Sequence, residues 1–266
     1  MIIIIVIIIL ILLIFYLFNK SKNEKFTDLQ SYPGCLTIYN YDNKFRLGNN
    51  GDGGYVIADI GNGNIYDCYI SCGVSNEESF SRDFIKKYNM NKDNSYAFDG
   101  TIQDYPYEFT RDITYIKKNI GDVNNDEYTN LDFLIEKYNN IFIKMDIEGW
   151  EFQWLLQLSP DKLKKFKQIA LEVHGVNDDS WNFKQEDKIK CFNKLNDLFY
   201  LIHAHGNTCS EKINNIPSVL ELTYLNKSEF NTEPEKNKKE LPDKSLDFCN
   251  SSREDYDLNF EPFVYK

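Results

Sequence analysis

The chain has 266 residues, a formal net charge of −11 and a pI of about 4.9. A nucleic-acid-binding surface needs clustered Lys and Arg to neutralise phosphates, so this charge argues against a nucleic-acid partner. The six cysteines are scattered and form no CxxC pair. The sequence therefore predicts neither a zinc site nor a dense disulfide framework, and we assign no metal ligand.

The N-terminal segment is an apolar run, because the first 18 residues contain no charged side chain. As a helix this run spans about 27 Å, close to the roughly 30 Å hydrocarbon core of a bilayer. It lacks the basic start and small-residue cleavage site of a signal peptide. We therefore predict an uncleaved transmembrane helix over residues 1–18, a linker over 19–44 and one soluble domain over 45–266.

The charges that flank this run predict an orientation. Lys20, Lys22 and Lys25 follow it, and the positive-inside rule then places the soluble domain on the cytoplasmic side of a single-pass membrane protein. Two sequons, at Asn226 and Asn250, would point to the opposite side.

Beyond Tyr66, short apolar runs alternate with helical patterns, which is typical of an α/β domain with a mostly parallel sheet. Ser75 with Glu78, and Thr129 with Asp132, are read as helix caps. The last two strands have no helix between them, which predicts a hairpin at one edge of the sheet. The predicted strands are 68–71, 95–98, 113–116, 141–145, 169–173, 199–204 and 219–224, and the predicted helices follow Ser75, follow Thr129, carry Trp154 and cover 185–198.

Glycines and polar residues follow four of these strands, at Gly73, Asp99, Asp146 and His174. Ligands of open α/β sheets bind at the carboxyl ends of the strands. Gly73 would allow a ligand close to the backbone, and Asp99 could accept hydrogen bonds from the ribose hydroxyls of an adenosine group. The loop after Gly73 lacks the further glycines of G-x-G-x-x-G, which argues against a dinucleotide. An ordinary turn glycine, a capping aspartate and a buried structural histidine are the alternatives.

Charged residues are densest between positions 144 and 151. A lysine near the end of a buried strand, followed by carboxylates, is costly unless the charges are paired or used in function. Lys144 and Asp146 could form a structural ion pair. His174 could instead act as a general base or hold a substrate.

The eight residues from Lys144 to Glu151, KMDIEGWE, resemble the K-x-D-x-E-G-x-E signature of FkbM-type methyltransferases. The upstream segment DGGY, which contains Asp52, Gly53 and Gly54, and the segments around Gly73, Asp99 and His174 resemble further parts of that family. The resemblance covers about residues 45 to 262. It implies a Rossmann-like methyltransferase fold, S-adenosylmethionine as methyl donor, and O-methylation of a small-molecule or sugar hydroxyl.

The resemblance also implies roles for the candidate residues. Lys144 would pair with a carboxylate and hold the geometry of the site.

Two alternative functions remain. One is a metal-dependent glycosyltransferase, in which Asp146 and Glu148 would bind a divalent ion. The other is a non-catalytic membrane-anchored binding module. We expect the cofactor to be bound by Gly73, Asp99, Asp52, Gly53 and Gly54, and the acceptor side to be formed by Asp146, Glu148, His174 and Lys144.

Overall fold

The structure, a computed structural model, describes residues 34–213 and 216–266. The strands are β1 Lys44–Leu47, β2 Tyr55–Ala58, β3 Cys68–Cys72, β4 Ser95–Phe98, β5 Thr114–Ile116, β6 Asn119–Ile120, β7 Tyr128–Thr129, β8 Ile141–Met145, β9 Phe166–His174, β10 Phe199–Gly206, β11 Lys212–Ile213, β12 Ile216–Pro217 and β13 Val219–Asn226. The helices are α1 Ser79–Tyr88, α2 Asp132–Lys137, α3 Glu151–Gln157, α4 Pro160–Leu163 and α5 Gln185–Leu198, followed by a 3-10 turn at Lys227–Glu229.

Seven strands form the central sheet in the order β10-β13-β9-β8-β3-β4-β5. Strands β9, β8, β3, β4 and β5 are parallel, whereas β13 runs antiparallel to both β9 and β10. The mostly parallel sheet and the antiparallel edge pair are thus confirmed. Because the chain moves from β3 outward to β5 and then returns to β8, the sheet has a switch point between β3 and β8, where ligands of open α/β sheets bind.

Alternating side chains build two apolar layers, one on each face of the sheet. On β3, Cys68, Ile70 and Cys72 face the layer beneath α2, α3 and α5, while Tyr69 faces the other layer. That second layer is aromatic and includes Phe84 of α1. Both faces are therefore covered, which explains why the central strands read as continuous apolar runs.

A hairpin of β1 and β2, which the sequence analysis did not predict, lies over the second face. Its backbone is fastened to the sheet by side chains: Gln168 accepts from the Ala58 N–H at 2.6 Å, and Thr223 donates to the Val56 carbonyl at 2.6 Å. Each of these strands has only four residues, so the alternation of apolar and polar side chains is too short to indicate a strand. The hairpin carries Asp52 in its connecting turn.

Several local predictions were wrong. Helix α1 begins at Ser79, so Ser75 and Glu78 form no capping box; the Glu78 side chain instead accepts hydrogen bonds from Ser71 and Tyr105 inside the domain. The residue before α2 is Leu131, in a left-handed conformation and without a side-chain cap. Buried polar partners outcompeted the local capping signal in the first case.

The described residues contain no helix that is long and apolar enough to cross a membrane. The run 1–18, on which the predicted transmembrane helix depended, lies outside the residues that the structure describes. We therefore correct the prediction of a single-pass membrane protein with a cytoplasmic domain, which this finding contradicts. In the segment predicted as a linker, Leu36 and Ile38 are buried in the core. The remaining domain boundaries stay a prediction.

Candidate functional site

A cavity of about 460 Å³ opens at the carboxyl ends of β3, β4 and β8, at the switch point of the sheet. Its volume lies within the range of small-molecule and cofactor sites, about 300–1,000 Å³. Seven of the nine predicted site residues line it, and the other two, Gly54 and His174, do not. The lining comprises Asp52, Gly53, Gly73, Val74, Ser75, Asn76, Glu77, Phe98, Asp99, Thr101, Lys118, Asn119, Ile120, Tyr128, Lys144, Asp146, Ile147, Glu148 and Trp150.

Gly73 marks the point where two strand ends touch. Its φ is +80°, and a Cβ at this position would collide with the backbone oxygen of Asp146. Only glycine meets both requirements, a positive φ and contact with a neighbouring backbone. Gly73 therefore lets the ends of β3 and β8 approach each other beneath the cavity.

Asp99 organises the loop that follows β3. Its Oδ2 accepts hydrogen bonds from the backbone N–H groups of Val74 and Ser75 at 3.0 and 2.9 Å. Its Oδ1 accepts from the Thr101 N–H and hydroxyl at 2.7 and 2.6 Å. Burial raises the pKa of Asp99, but these hydrogen bonds outweigh it and the net pKa is lowered. The carboxylate is thus held ionised at the cavity wall.

The turn of the β1–β2 hairpin reaches the cavity through Asp52 and Gly53. Burial, then the neighbouring Asp146, raises the pKa of Asp52. Gly54 is not among the lining residues, and a Cβ there would collide with the Asn49 carbonyl oxygen and the Arg46 guanidinium. Position 54 must be a glycine because of this close packing within the hairpin.

Lys144 is buried between the strand ends, with 6% of its surface exposed. Its Nζ donates to the carbonyl oxygen of Gly73 at 2.8 Å and lies 4.0 Å from Oδ2 of Asp146. It also lies 5.5 Å from the centroid of the Tyr55 ring. The lysine therefore binds the backbone directly and faces the carboxylate at the limit of an ion pair.

His174 is the last residue of β9 and is 4% exposed. Its Nε2 lies 3.4 Å from Oε2 of Glu148 and 3.5 Å from Oε1 of Glu172, and its Nδ1 lies 3.5 Å from Oε1 of Glu151. Burial lowers the pKa of His174, but Glu151 and the other nearby carboxylates outweigh burial and raise it. The imidazole is thus surrounded by acidic groups behind the cavity wall.

Glu148 and Gly149 form the turn between β8 and α3, with φ values of +56° and +91°. A non-glycine residue rarely adopts such a φ. The conformation of Glu148 leaves its side chain 74% exposed while directing one carboxylate oxygen toward His174. Asp146 and Glu148, adjacent to β8, and His174, on β9, are thus brought together as the sequence predicted from their strand ends.

The site contains acidic residues to which the sequence analysis assigned no role. Glu151 is fully buried and accepts from the Ile147 N–H at 2.8 Å. Glu172 accepts from Asn207 at 2.9 Å and from the Tyr55 hydroxyl at 3.4 Å. Burial, followed by the charge of Asp146, raises the pKa of Glu172 well above its usual range. Spacing could have indicated Glu172, because positions two apart on a strand share a face and His174 follows it by two.

Two tryptophans border the acidic end of the cavity. Trp150 lines the cavity and is 42% exposed, and Trp181 is 43% exposed. The Trp181 ring lies edge-on to the His174 ring, with centroids 5.0 Å apart. The acidic groups therefore lie beside large, accessible aromatic surfaces.

The open sheet and the cavity at its switch point define an α/β protein whose strand ends form a cavity of the size of a small-molecule site. Residues 28–209 match the family model of the methyltransferase FkbM domain. The chain belongs to this family and is thereby a methyltransferase. The comparison with curated proteins gave no match.

Proposed function

We propose that this methyltransferase uses S-adenosylmethionine and transfers its methyl group to a hydroxyl of a small molecule or glycan. One observation carries the proposal: a single cavity is lined both by the Gly73 loop with Asp99 and by Asp146 with Glu148. A donor and an acceptor could therefore occupy adjoining halves of the same site.

The cofactor half offers the groups that an adenosyl ligand needs. Asp99 ends β4, where a carboxylate can bind ribose hydroxyls. Its oxygens already accept four hydrogen bonds, which occupy about four lone-pair positions. We infer that ribose hydroxyls share these positions with the Thr101 hydroxyl, which can rotate away. Gly73, Asp52 and Gly53 complete this half in the proposal, whereas Gly54 acts through the shape of the hairpin.

The acceptor half combines carboxylates with tryptophan surfaces. Carboxylates accept hydrogen bonds from hydroxyl groups, and Trp150 and Trp181 offer apolar faces against which a ring can lie. This combination supports a hydroxyl-rich acceptor. The acidic lining also argues against a polyanionic acceptor such as a nucleic acid, because like charges repel.

Methyl transfer makes modest chemical demands on the protein. Bound S-adenosylmethionine would supply an activated methyl group together with its sulfur leaving group, and a base would take the proton of the acceptor hydroxyl. The enzyme aligns the two reactants and can help remove that proton. We propose Asp146, Glu148 and His174 for the acceptor side, and Lys144 as the residue that positions the strand ends.

Thermal unfolding of the chain with different ligands tests the proposal. S-adenosylmethionine and S-adenosylhomocysteine should each raise the melting temperature, because a ligand that binds the native state stabilises it. NAD and uridine-diphosphate sugars should leave it unchanged. Stabilisation by a uridine-diphosphate sugar would favour a glycosyltransferase, and no response to either adenosyl ligand would favour a non-catalytic binding module.

A further inference from the structure

Three possible metal ligands meet at the acceptor end of the cavity. One side-chain oxygen or nitrogen each from Asp146, Glu148 and His174 lie within 4.8 Å of one another. The residues come from the ends of two neighbouring parallel strands, so the sheet itself fixes their separation. Two carboxylates and an imidazole form a mixed oxygen and nitrogen set that suits a divalent cation such as Mn²⁺.

The surroundings of His174 resemble those of a metal-bound histidine. The side chain is 4% exposed, and its Nδ1 has no hydrogen-bond partner among the described residues. That nitrogen lies 3.5 Å from Oε1 of Glu151, a fully buried carboxylate whose other oxygen is also without a partner. Metal-binding histidines commonly direct one ring N–H to a carboxylate, which leaves the other nitrogen free to bind the ion.

The second nitrogen of this ring faces acceptors only. Nε2 lies 3.4 Å from a Glu148 oxygen and 3.5 Å from a Glu172 oxygen. When Nδ1 carries the proton, the lone pair of Nε2 faces the lone pairs of both carboxylates, and these acceptors repel one another. Either a second proton on the imidazole or a cation bound between these groups would turn this opposition into attraction. The Lys144 ammonium group is already hydrogen-bonded to Gly73 and lies 4.0 Å from Asp146.

We propose that Asp146, Glu148 and His174 bind one divalent cation, with Glu151 orienting the histidine. The sequence analysis placed a divalent ion on Asp146 and Glu148 only in the alternative glycosyltransferase function. Three protein ligands leave coordination positions open, and Asp146 and Glu148 line the cavity, so an acceptor hydroxyl could complete the coordination. This role of the ion rests on the proposed methyltransferase function, whereas the ion-binding site itself does not.

Titration of the full chain with Mn²⁺, followed by electron paramagnetic resonance without any adenosyl ligand, tests the site. We expect saturable binding of one Mn²⁺ per chain. Asp146→Asn, Glu148→Gln and His174→Gln should each weaken binding at least about tenfold, and Glu151→Gln about 10- to 100-fold. The matched control is Glu211→Gln, since the Glu211 side chain is 79% exposed and that of Glu148 is 74% exposed; it should leave binding unchanged.

A spectroscopic measurement on the wild-type chain covers the case in which these variants fail to fold. Electron spin-echo modulation of the bound Mn²⁺ should show coupling to a histidine nitrogen. Absent coupling, unsaturable binding, or binding that folded Asp146→Asn and His174→Gln retain would overturn the proposal. A separate measurement of S-adenosylhomocysteine binding keeps the two proposals distinct. A chain that binds Mn²⁺ but not S-adenosylhomocysteine supports the metal site alone. A chain that binds S-adenosylhomocysteine but not Mn²⁺ supports the cofactor assignment alone.

Discussion

The ammonium group of Lys144 donates a hydrogen bond to the carbonyl oxygen of Gly73 at 2.8 Å, so a side chain of β8 holds the end of β3. Gly73 in turn has no Cβ that would collide with the Asp146 backbone. The two residues thus fix the strand ends against each other at the cavity floor. The geometry of both halves of the site depends on this contact.

Lys144→Met removes the ammonium group and keeps a side chain of similar length. It leaves the partly buried Gly73 carbonyl without its donor, which should lower the free energy of unfolding by about 1–3 kcal/mol. Affinity for S-adenosylhomocysteine should fall as the Gly73 loop loosens. Denaturant unfolding and calorimetry measure the two effects. Lys164→Met, at a side chain that is 59% exposed, is the control; equal behaviour of both variants would contradict the role of Lys144.

Asp99→Asn places an amide nitrogen where the carboxylate accepts from backbone N–H groups. The amide nitrogen cannot accept, so either the Thr101 N–H bond or the bonds from the Val74 and Ser75 N–H groups must be lost, which should lower the melting temperature. If Asp99 also binds ribose, S-adenosylhomocysteine affinity should fall by about 1.5–3 kcal/mol. Calorimetry at a temperature where the variant is folded decides this. Unchanged affinity, equal to that of the exposed control Asp104→Asn, would leave Asp99 with a structural role only.

The sequence predicted the sheet because each central strand is a short apolar run ending in glycine or a polar residue. Strands β4 and β8 and helix α5 begin and end where the pattern placed them. The β1–β2 hairpin was missed because its strands are short and are held by distant residues such as Gln168. Local patterns contain no information about such partners.

The candidate site was predictable as far as strand ends determine it. The meeting of Asp146 and His174 follows from β8 and β9 being neighbours. The role of Glu151 was not predictable from spacing, because it depends on how tightly α3 packs beneath His174. A helix position says which side a residue faces but not how deeply it is buried.

Asp146→Ala and His174→Ala separate the two halves of the site. If both residues serve the acceptor, turnover should fall by about 10²–10⁴-fold while S-adenosylhomocysteine affinity stays nearly unchanged. Release of S-adenosylhomocysteine with a hydroxyl-rich acceptor identified by screening measures turnover, and calorimetry measures affinity. If a folded Asp146→Ala chain loses both turnover and S-adenosylhomocysteine binding, Asp146 belongs to the cofactor half.

His205 gives the fold a pH dependence that can be checked away from the cavity. Its ring nitrogens lie 3.0 Å from Glu221 and 2.8 Å from Asp255. Burial lowers the pKa of His205, but these carboxylates outweigh burial and raise it from 6.5 to about 11.

Because the folded pKa is raised, the stabilisation is fully present below about pH 6.5 and is lost as the pH rises toward about 11. The loss is at most about 1.4 kcal/mol per pH unit. Asp255→Asn should flatten the decline, and the exposed control Glu254→Gln should not. Denaturant unfolding across this range is the measurement, and parallel curves for wild type and Asp255→Asn would disprove the contribution.

The identity of the donor is tested most directly by calorimetric titration of the full chain with S-adenosylhomocysteine, beside NAD and a uridine-diphosphate sugar. We predict saturable binding of one S-adenosylhomocysteine per chain and no binding of the other two. Binding of NAD or the nucleotide sugar in its place, or no binding of S-adenosylhomocysteine by a chain that unfolds cooperatively, would contradict the proposed use of S-adenosylmethionine.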